Sequence, residues 1–416
     1  MAEQRIIENV KGTIIPALII LLPITALFGN APADIALVLV TVCFIISTVN
    51  EWRQLVNSHF LQLSAIFWVW ILICSSVSGF PLHSFQDSLS WIRLPLYAFA
   101  LSQLLNRKNG TYLFYFIGAA IFGTLVELSF IFYEYSFARS ELARLHGTFE
   151  KLIAGWYLSC FGLISIFWYF EKLKQEKYSI IAWALILIFT IMTSIGVLIT
   201  GEIMTTLFFF GSFILYFLIR KSYSLKTLGL MAIGCIILIG VGFFVGSKDP
   251  LLQERLIHSI STRLPWMASS DYNLPWTTGI AMAIENPIFG VGPKNFNLYC
   301  LNLKQTGTLD AILHVQDCQW HPHNLWLQIA SETGIPGLIL FSLLATYLIY
   351  SAYQHSQARH WTTNVPLILT IVVFFPIQTY SQAFGQSKNF YVWTMLGFSL
   401  LMIRQNLKDQ YNDKRL

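Results

Sequence analysis

The segment His321-Pro322-His323-Asn324 carries the side chains of this chain that are best suited to moving protons. An imidazole titrates near neutral pH, so either histidine can serve as a general base. Two other uses remain open. The His-x-His pair can supply two metal ligands, or the histidines can cap a helix in a structural role. No Cys–His spacing and no His-Glu-x-x-His sequence accompanies the pair, which disfavours a metal site.

A helix is predicted to follow these histidines directly. Asn324 is a suitable N-cap, and Gly334 with Pro336 ends the helical pattern. The apolar face of this helix consists of Leu325, Trp326, Ile329 and Ala330. His323 therefore lies at a helix N-terminus, where backbone N–H groups and the helix dipole favour an anion. Glu332 is about two and a half turns further on and is expected to point away from His323. The cluster suits a base beside a phosphate.

The rest of the chain predicts an all-α polytopic membrane protein. Its 416 residues are 55% hydrophobic and 11% charged, with a mean hydropathy of +0.60, whereas soluble domains have about 25% charged residues. Apolar runs of about 20 residues without period-2 alternation predict helices rather than barrel strands. We expect about twelve spans, near residues 12–28, 33–49, 60–78, 92–106, 111–132, 153–170, 178–199, 203–220, 226–246, 336–354, 364–382 and 389–404.

These spans divide the chain into three parts. Residues 1–246 hold spans one to nine, residues 247–335 form one long external loop with the histidine motif, and residues 336–416 hold three spans and a tail. Most of the 26 basic residues fall in loops on one side. The positive-inside rule therefore predicts that both termini are cytoplasmic and that the long loop is periplasmic. The net charge of +5 reflects these loops and does not indicate nucleic-acid binding.

The six cysteines fall into two groups. Cys300 and Cys318 share the predicted external loop, an oxidising location where a disulfide persists. A bridge between them is favoured over two free thiols and would tether the chain just before His321. The remaining cysteines lie in predicted spans and are interpreted as small apolar residues: Cys43, Cys74, Cys160 and Cys235.

Several charged residues lie near the predicted outer ends of spans. Arg93 either snorkels to lipid headgroups or faces the bundle and holds an anion. Arg139 and Arg144 belong to the segment before His146-Gly147-Thr148-Phe149, which is either a solvated loop or part of a site. Glu202 follows the seventh span directly and lies either at headgroup level or in a cavity shared with the histidines.

A second motif, rich in glycine and proline, precedes the histidines. Asn286-Pro287-Ile288-Phe289-Gly290-Val291-Gly292-Pro293-Lys294 predicts a fixed turn with accessible backbone amides, after a short helix at about 275–285. The stretch lacks the spacing and the preceding strand of a phosphate-binding P-loop.

In this combination and order the motifs resemble the O-antigen ligase family and the related O-antigen polymerases. The resemblance rests on His321-Pro322-His323-Asn324 with Glu332, on the turn at 286–294, and on His146-Gly147-Thr148-Phe149. It implies a GT-C-like fold and a metal-independent, cofactor-free glycosyltransferase of lipopolysaccharide biosynthesis in the bacterial inner membrane. The donor would be a glycan on undecaprenyl diphosphate, and the acceptor a hydroxyl of a lipid A–core sugar. Polymerase or protein-glycosylation activity remains open, as does a lipid-linked glycan transporter.

The resemblance also implies roles for single residues. It assigns catalysis to His323, with His321 beside it. Family members usually carry an arginine at the outer start of the eighth span, where this chain has Ile203. Either the substitution is inactivating or another group holds the donor diphosphate; the candidates are Arg93, Arg139, Arg144, Lys294 and Asn324.

Overall fold

The computed structural model describes residues 10–48, 52–107, 110–137, 145–149, 153–175, 179–219, 272–305, 318–356, 364–376, 383–385 and 388–413. Throughout these ranges the regular structure is helical, with no strand. The helices are α1 (Ile15–Thr25), α2 (Asn30–Ser47), α3 (Trp52–Val56), α4 (His59–Val77), α5 (Pro81–Trp91), α6 (Arg93–Leu105), α7 (Thr111–Phe137), α8 (Ala154–Tyr157), α9 (Leu163–Gln175), α10 (Ile180–Ile199), α11 (Ile203–Leu218), α12 (Asn273–Glu285), α13 (Phe296–Gln305), α14 (Leu325–Ser356), α15 (Val365–Val373) and α16 (Asn389–Asp413).

Five helices of the described chain are long and apolar enough to cross a membrane: α2, α4, α7, α10 and α14. Two shorter apolar helices cover Gly12–Phe28 and Met204–Leu218. The prediction of a helical membrane protein is thereby supported. The count of twelve spans and the long periplasmic loop stay predictions, because the span at 226–246 and residues 247–271 and 306–317 of the loop lie outside the described residues.

The outward faces of these helices have the composition that lipid requires. Large apolar side chains are exposed along α2, α4 and α10, where a soluble protein would place charges. Examples are Ile35, Val42, Ile66, Val69, Leu185 and Ile188. Because the backbone bonds are satisfied within each helix, such surfaces are stable against hydrocarbon.

One helix lies at the centre of the bundle. Helices α8 and α9 are joined by a π-helical turn at Leu158–Gly162, and every residue from Ile153 to Trp168 is buried. A helix that is apolar on all sides must be surrounded by others. Its π-helical turn packs against α7, α10, α11 and α16. Elsewhere α16 packs against α6 and α15, and α14 packs against α4 and α12.

The predicted turn at 286–294 lies directly against α14. The N–H groups of Val291 and Gly292 donate to the carbonyls of Ser331 and Glu332 at 2.9 and 3.0 Å. The Ile335 N–H donates back to the Pro287 carbonyl at 2.8 Å. We call this set of backbone hydrogen bonds the 290/332 seam. The predicted helix N-terminal to Gly334 is present, although α14 continues after a break there instead of ending.

Gly334 makes the break in α14 possible. Its backbone has φ 71° and ψ −177°, a conformation almost restricted to glycine. A Cβ atom at this position would lie 2.1 Å from the Ile288 carbonyl oxygen. The seam therefore depends on the absence of a side chain at Gly334.

We expect Gly334→Ala to lower the free energy of unfolding by about 1–3 kcal/mol, because alanine is strained in this conformation and collides with the Ile288 carbonyl. Gly118→Ala is the matched control, since a Cβ there meets nothing within 4 Å. Thermal unfolding of both variants in detergent tests the prediction. An unchanged midpoint for Gly334→Ala would contradict it.

Candidate functional site

The two histidines lie side by side immediately before α14. Their ring centroids are 4.2 Å apart, and the His323 backbone N–H donates to Nδ1 of His321 at 3.2 Å. His323 has φ 52°, an uncommon left-handed conformation that turns its side chain back toward His321. Because Nδ1 of His321 accepts a hydrogen bond, neutral His321 carries its proton on Nε2.

Asn324 holds the start of this helix in place. Its Oδ1 accepts the Leu327 N–H at 2.9 Å, so the predicted N-cap is confirmed. Its Nδ2 donates to the Pro376 carbonyl at 2.7 Å. The cap residue thus ties α14 to the segment after α15 as well as ordering its first turn.

The environment of the histidines keeps both rings neutral. Desolvation by burial lowers the pKa of His321 to about 3, helped by the nearby charges of His323, Lys388 and Lys294. Desolvation, followed by the charge of Lys388, lowers the pKa of His323 to about 4. Tyr272 packs edge-on against His323, with ring centroids 5.0 Å apart. At pH 7 the pair is therefore uncharged and able to accept a proton.

Lys294 ends the turn at 286–294, and its charge acts on His321. It has φ 67°, and its backbone N–H donates to Oε2 of Glu332 at 2.8 Å. Glu332 is fully buried and also accepts from the Gln328 amide at 3.3 Å. Within the described residues the hydrogen bonds of Glu332 join it to Lys294 and Gln328, and its orientation away from His323 stays a prediction. Its carboxylate supports the turn that carries Lys294.

A second lysine, Lys388, directly precedes α16. Its Nζ lies 5.5 Å from the centroid of the Trp156 ring. The neighbouring Gly155 N–H donates to Oε1 of Glu202 at 3.1 Å. Burial lowers the pKa of Lys388, and the Glu202 charge opposes that shift. Burial raises the pKa of Glu202, against the effects of Lys388, the Gly155 N–H and His146.

The segment around His146 is fixed by two carboxylates of α7. Oε2 of Glu134 accepts the N–H groups of His146 and Gly147, both at 2.8 Å. Oε2 of Glu127 accepts the Thr148 hydroxyl at 2.7 Å. Both acceptors lie on one face of α7, because residues seven apart are two turns apart. The segment is therefore bound to α7.

Cys300 and Cys318 form a disulfide, as the sequence predicted. The bridge joins α13 to the segment at residues 318–320, which leads into His321. The Asn297 side chain adds hydrogen bonds to the carbonyls of Cys318 and Gln319, at 3.1 and 3.2 Å. The disulfide and these hydrogen bonds together hold the segment that leads into His321.

The other predicted site residues are placed differently. Arg93 forms an ion pair with Asp34 of α2 at 3.0 Å, so its guanidinium is engaged by a carboxylate. Ile203 is the first residue of α11, directly after Glu202. Arg139 and Arg144 lie outside the described residues. Within the described ranges, no three His, Cys, Asp or Glu side chains are grouped so that they could hold a metal ion.

Lys388 is the site residue that sequence reasoning missed. The available signal was its position: a lone lysine beside a predicted span, on the side that is poor in basic residues. Glu202 was noted as a possible neighbour of the histidines. The charge of Lys388 acts both on Glu202 and on the two histidines.

Fold and site together define a helical membrane protein with two adjacent histidines at the start of α14, on which the charges of Lys388 and Lys294 act. Residues 187–342 match the family model described as O-antigen ligase. The match confirms the resemblance predicted from the motifs, and it spans Glu202, Lys294 and both histidines. His146 and Lys388 lie outside the matched segment. No match was found among curated proteins.

We expect Asn324→Ala to lower the free energy of unfolding by about 1 kcal/mol or more, because the helix loses its cap. Asn324→Ser keeps an acceptor for the Leu327 N–H and should lose less stability. The unfolding midpoints of the two variants in detergent provide the measurement. Equal loss in both would show that the tether to Pro376, rather than the cap, is the stabilising contact.

Proposed function

We propose that this chain is a membrane-embedded glycosyltransferase that moves a glycan from undecaprenyl diphosphate to a hydroxyl acceptor, a lipid A–core sugar in the ligase reaction. The observation that carries the proposal is the side-by-side His321–His323 pair at the start of α14, inside the segment that matches the O-antigen ligases. The match supports an enzyme of the ligase or polymerase type. The proposal adds the donor, the acceptor and an active site on the periplasmic face of the inner membrane, with both termini cytoplasmic.

The reaction requires one proton transfer and one substitution at carbon. The acceptor oxygen forms a bond to the anomeric carbon of the glycan while its proton passes to a ring nitrogen of His323. The bond between that carbon and the diphosphate oxygen breaks, and the electron pair leaves with the diphosphate. A neutral imidazole suits this step because it accepts the proton as the acceptor oxygen gains bonding to carbon.

The two histidines have different parts in this scheme. The basic nitrogen of His321, Nδ1, is occupied by the His323 N–H, so His321 is a poor candidate for the base. Its Nε2–H is a donor, which suits an oxygen of the leaving diphosphate. His323 is therefore the base, and His321 is a neighbouring donor.

The candidates for the diphosphate are also ranked by their contacts. Lys294 is supported because its charge acts on His321. Arg93 is less suitable because Asp34 already engages it, and Asn324 is occupied in capping α14. Arg139 and Arg144 remain predictions.

Replacing His323 by alanine should abolish transfer, because the acceptor hydroxyl loses its proton acceptor; removal of a general base typically costs about 100- to 10,000-fold. The assay is glycan transfer by the full chain in proteoliposomes that contain the lipid-linked donor. His59→Ala is the control, since His59 is exposed and bonds to Gln62 at the start of α4. Transfer at the unmodified rate by the His323 variant would refute the assignment. Supplying either lipid A–core or a second lipid-linked repeat as acceptor separates ligase from polymerase.

Transfer should persist in mildly acidic conditions. The pKa of His323 is lowered to about 4, so its base form is retained below the ordinary histidine value of 6.5. We expect kcat/KM to stay level from pH 7 to about 5 and to fall toward pH 4. The free energy of unfolding should also decrease at low pH. As pH falls, the histidine of the unfolded chain is protonated near pH 6.5, whereas the folded protein binds this proton only near pH 4, so folding stability decreases below about pH 6.5. A half-maximal rate near pH 6.5 would contradict this burial effect.

A further inference from the structure

We propose that α12 and the turn at its end are immersed in the membrane, where an apolar stripe contacts the acyl chains of the leaflet on the histidine side. The stripe consists of Ile280, Ile284 and Ile288. The inference does not depend on the proposed function. It gives the middle of the predicted loop at 247–335 a place in the bilayer instead of in water.

The three isoleucines of the stripe are all exposed. Ile280 is 48% exposed, Ile284 72% and Ile288 57%. The opposite side of α12, which includes Thr278 and Met282, is buried, and the helix packs against α14. A surface helix in water has a polar outward face, so this arrangement is the reverse of the one that water favours.

The stripe continues a row of exposed apolar side chains on α14. Ile335, Ile339 and Leu343 are 44%, 54% and 51% exposed and follow one another at about one helical turn. The Ile335 N–H donates to the carbonyl of Pro287, the residue before Ile288, at 2.8 Å. The two rows therefore meet at the 290/332 seam, and the lipid that surrounds α14 reaches Ile288 next.

Two contacts with α4 fix the depth of the turn. The Phe289 ring stacks on that of Trp70, with centroids 5.6 Å apart. Three residues later Gly292 lies beside Ser78, since a Cβ at Gly292 would lie 2.4 Å from the Ser78 Cβ. Ser78 directly follows α4, whereas Trp70 lies eight residues earlier, about 12 Å along the helix. The turn therefore reaches from the end of α4 to about 12 Å below it.

This depth corresponds to an apolar part of the surface of α4. Between Trp70 and Ser78 the helix exposes Ile73 and Val77, at 41% and 55%, and α4 is long and apolar enough to cross a membrane. Irregular backbone at such a depth requires that the protein satisfy its polar groups. The seam satisfies several of them, and the Gly290 N–H donates within the turn to the Asn286 carbonyl at 2.9 Å.

The lipid contact is confined to the isoleucine side of α12. Glu285 is also exposed, but it lies about 100° around the helix axis from Ile284. An ionised carboxylate is costly in hydrocarbon, so we expect this side chain to face water. Glu285 therefore provides a comparison position at nearly the same depth as Ile284.

The other end of α12 lies against the histidine segment. Tyr272, the residue before the helix, packs on His323 with ring centroids 5.0 Å apart. A Cβ at Gly279 would lie 3.1 Å from the Pro322 Cβ. The histidine pair is thus attached to the bilayer by a helix that has one side in lipid.

The test is electron paramagnetic resonance of the full chain in proteoliposomes. Ile284→Cys and Ile288→Cys each receive a nitroxide, and its collisions with oxygen, which dissolves in hydrocarbon, are compared with its collisions with a water-soluble nickel chelate. We expect oxygen to dominate at both positions, as at Ile339→Cys on α14. A label at Glu285→Cys, the matched control, should collide with the chelate several-fold more often than the label at Ile284→Cys.

A second measurement uses the unsubstituted chain. A phospholipid that carries a diazirine in its acyl chain forms a carbene on irradiation and inserts into the residues that it touches. We expect crosslinks in the peptide that holds residues 280–289 as well as in the peptide that holds residues 335–343. Labelling of 335–343 without labelling of 280–289 would overturn the inference.

The other possible occupants of the stripe give different resonance results, and each of them overturns the lipid contact. Dominance of the nickel chelate at Ile284 and Ile288 would place the stripe in water. Few collisions with either reagent would show that another segment of this chain covers it. Dipolar broadening that disappears on dilution with unlabelled protein would show a second copy. None of these measurements requires glycan transfer, so the lipid contact and the proposed function can fail separately.

Discussion

The 290/332 seam is the contact on which the rest of the site depends. Three backbone hydrogen bonds join the turn at 286–294 to the first part of α14. They require two chain segments to approach so closely that Gly334 has no room for a side chain. Because the histidines precede α14 and Lys294 ends the turn, the seam fixes how the segments that carry them lie relative to each other. A shift of one residue in this pairing would change that arrangement.

The chemistry of the site follows from its burial. Histidines in water are partly protonated at neutral pH, but His321 and His323 are desolvated and have lysines nearby, so their pKa values are lowered to about 3 and 4. The cations that disfavour a charged histidine are the same groups that attract an anionic leaving group. Proton acceptance and anion binding are therefore linked through one electrostatic arrangement.

The carboxylates of the site have a supporting role. Glu332, Glu202, Glu134 and Glu127 each accept a backbone N–H from a segment that lacks regular structure or begins a helix. Such segments cannot satisfy their own donors, and a membrane protein has little water to replace them. Buried acceptors thus order the loops at this end of the bundle, and one of them, Glu332, holds the backbone of Lys294. The helices beneath contribute apolar surface and fixed distances.

The sequence alone determined the features that depend on neighbouring residues. Runs of apolar side chains predicted helices in a membrane, Asn324 was identified as an N-cap, and Cys300 and Cys318 were predicted to pair. The histidine motif indicated a base beside an anion, and its order with the turn at 286–294 indicated the family. Only the tertiary structure decided which charges meet. Lys388 and Glu202 are far apart in the chain, Arg93 is paired with Asp34, and Gln328 connects Ala383 to Glu332. Local patterns carry no information about such contacts, because they arise from how helix ends pack together and which buried charges then require a partner.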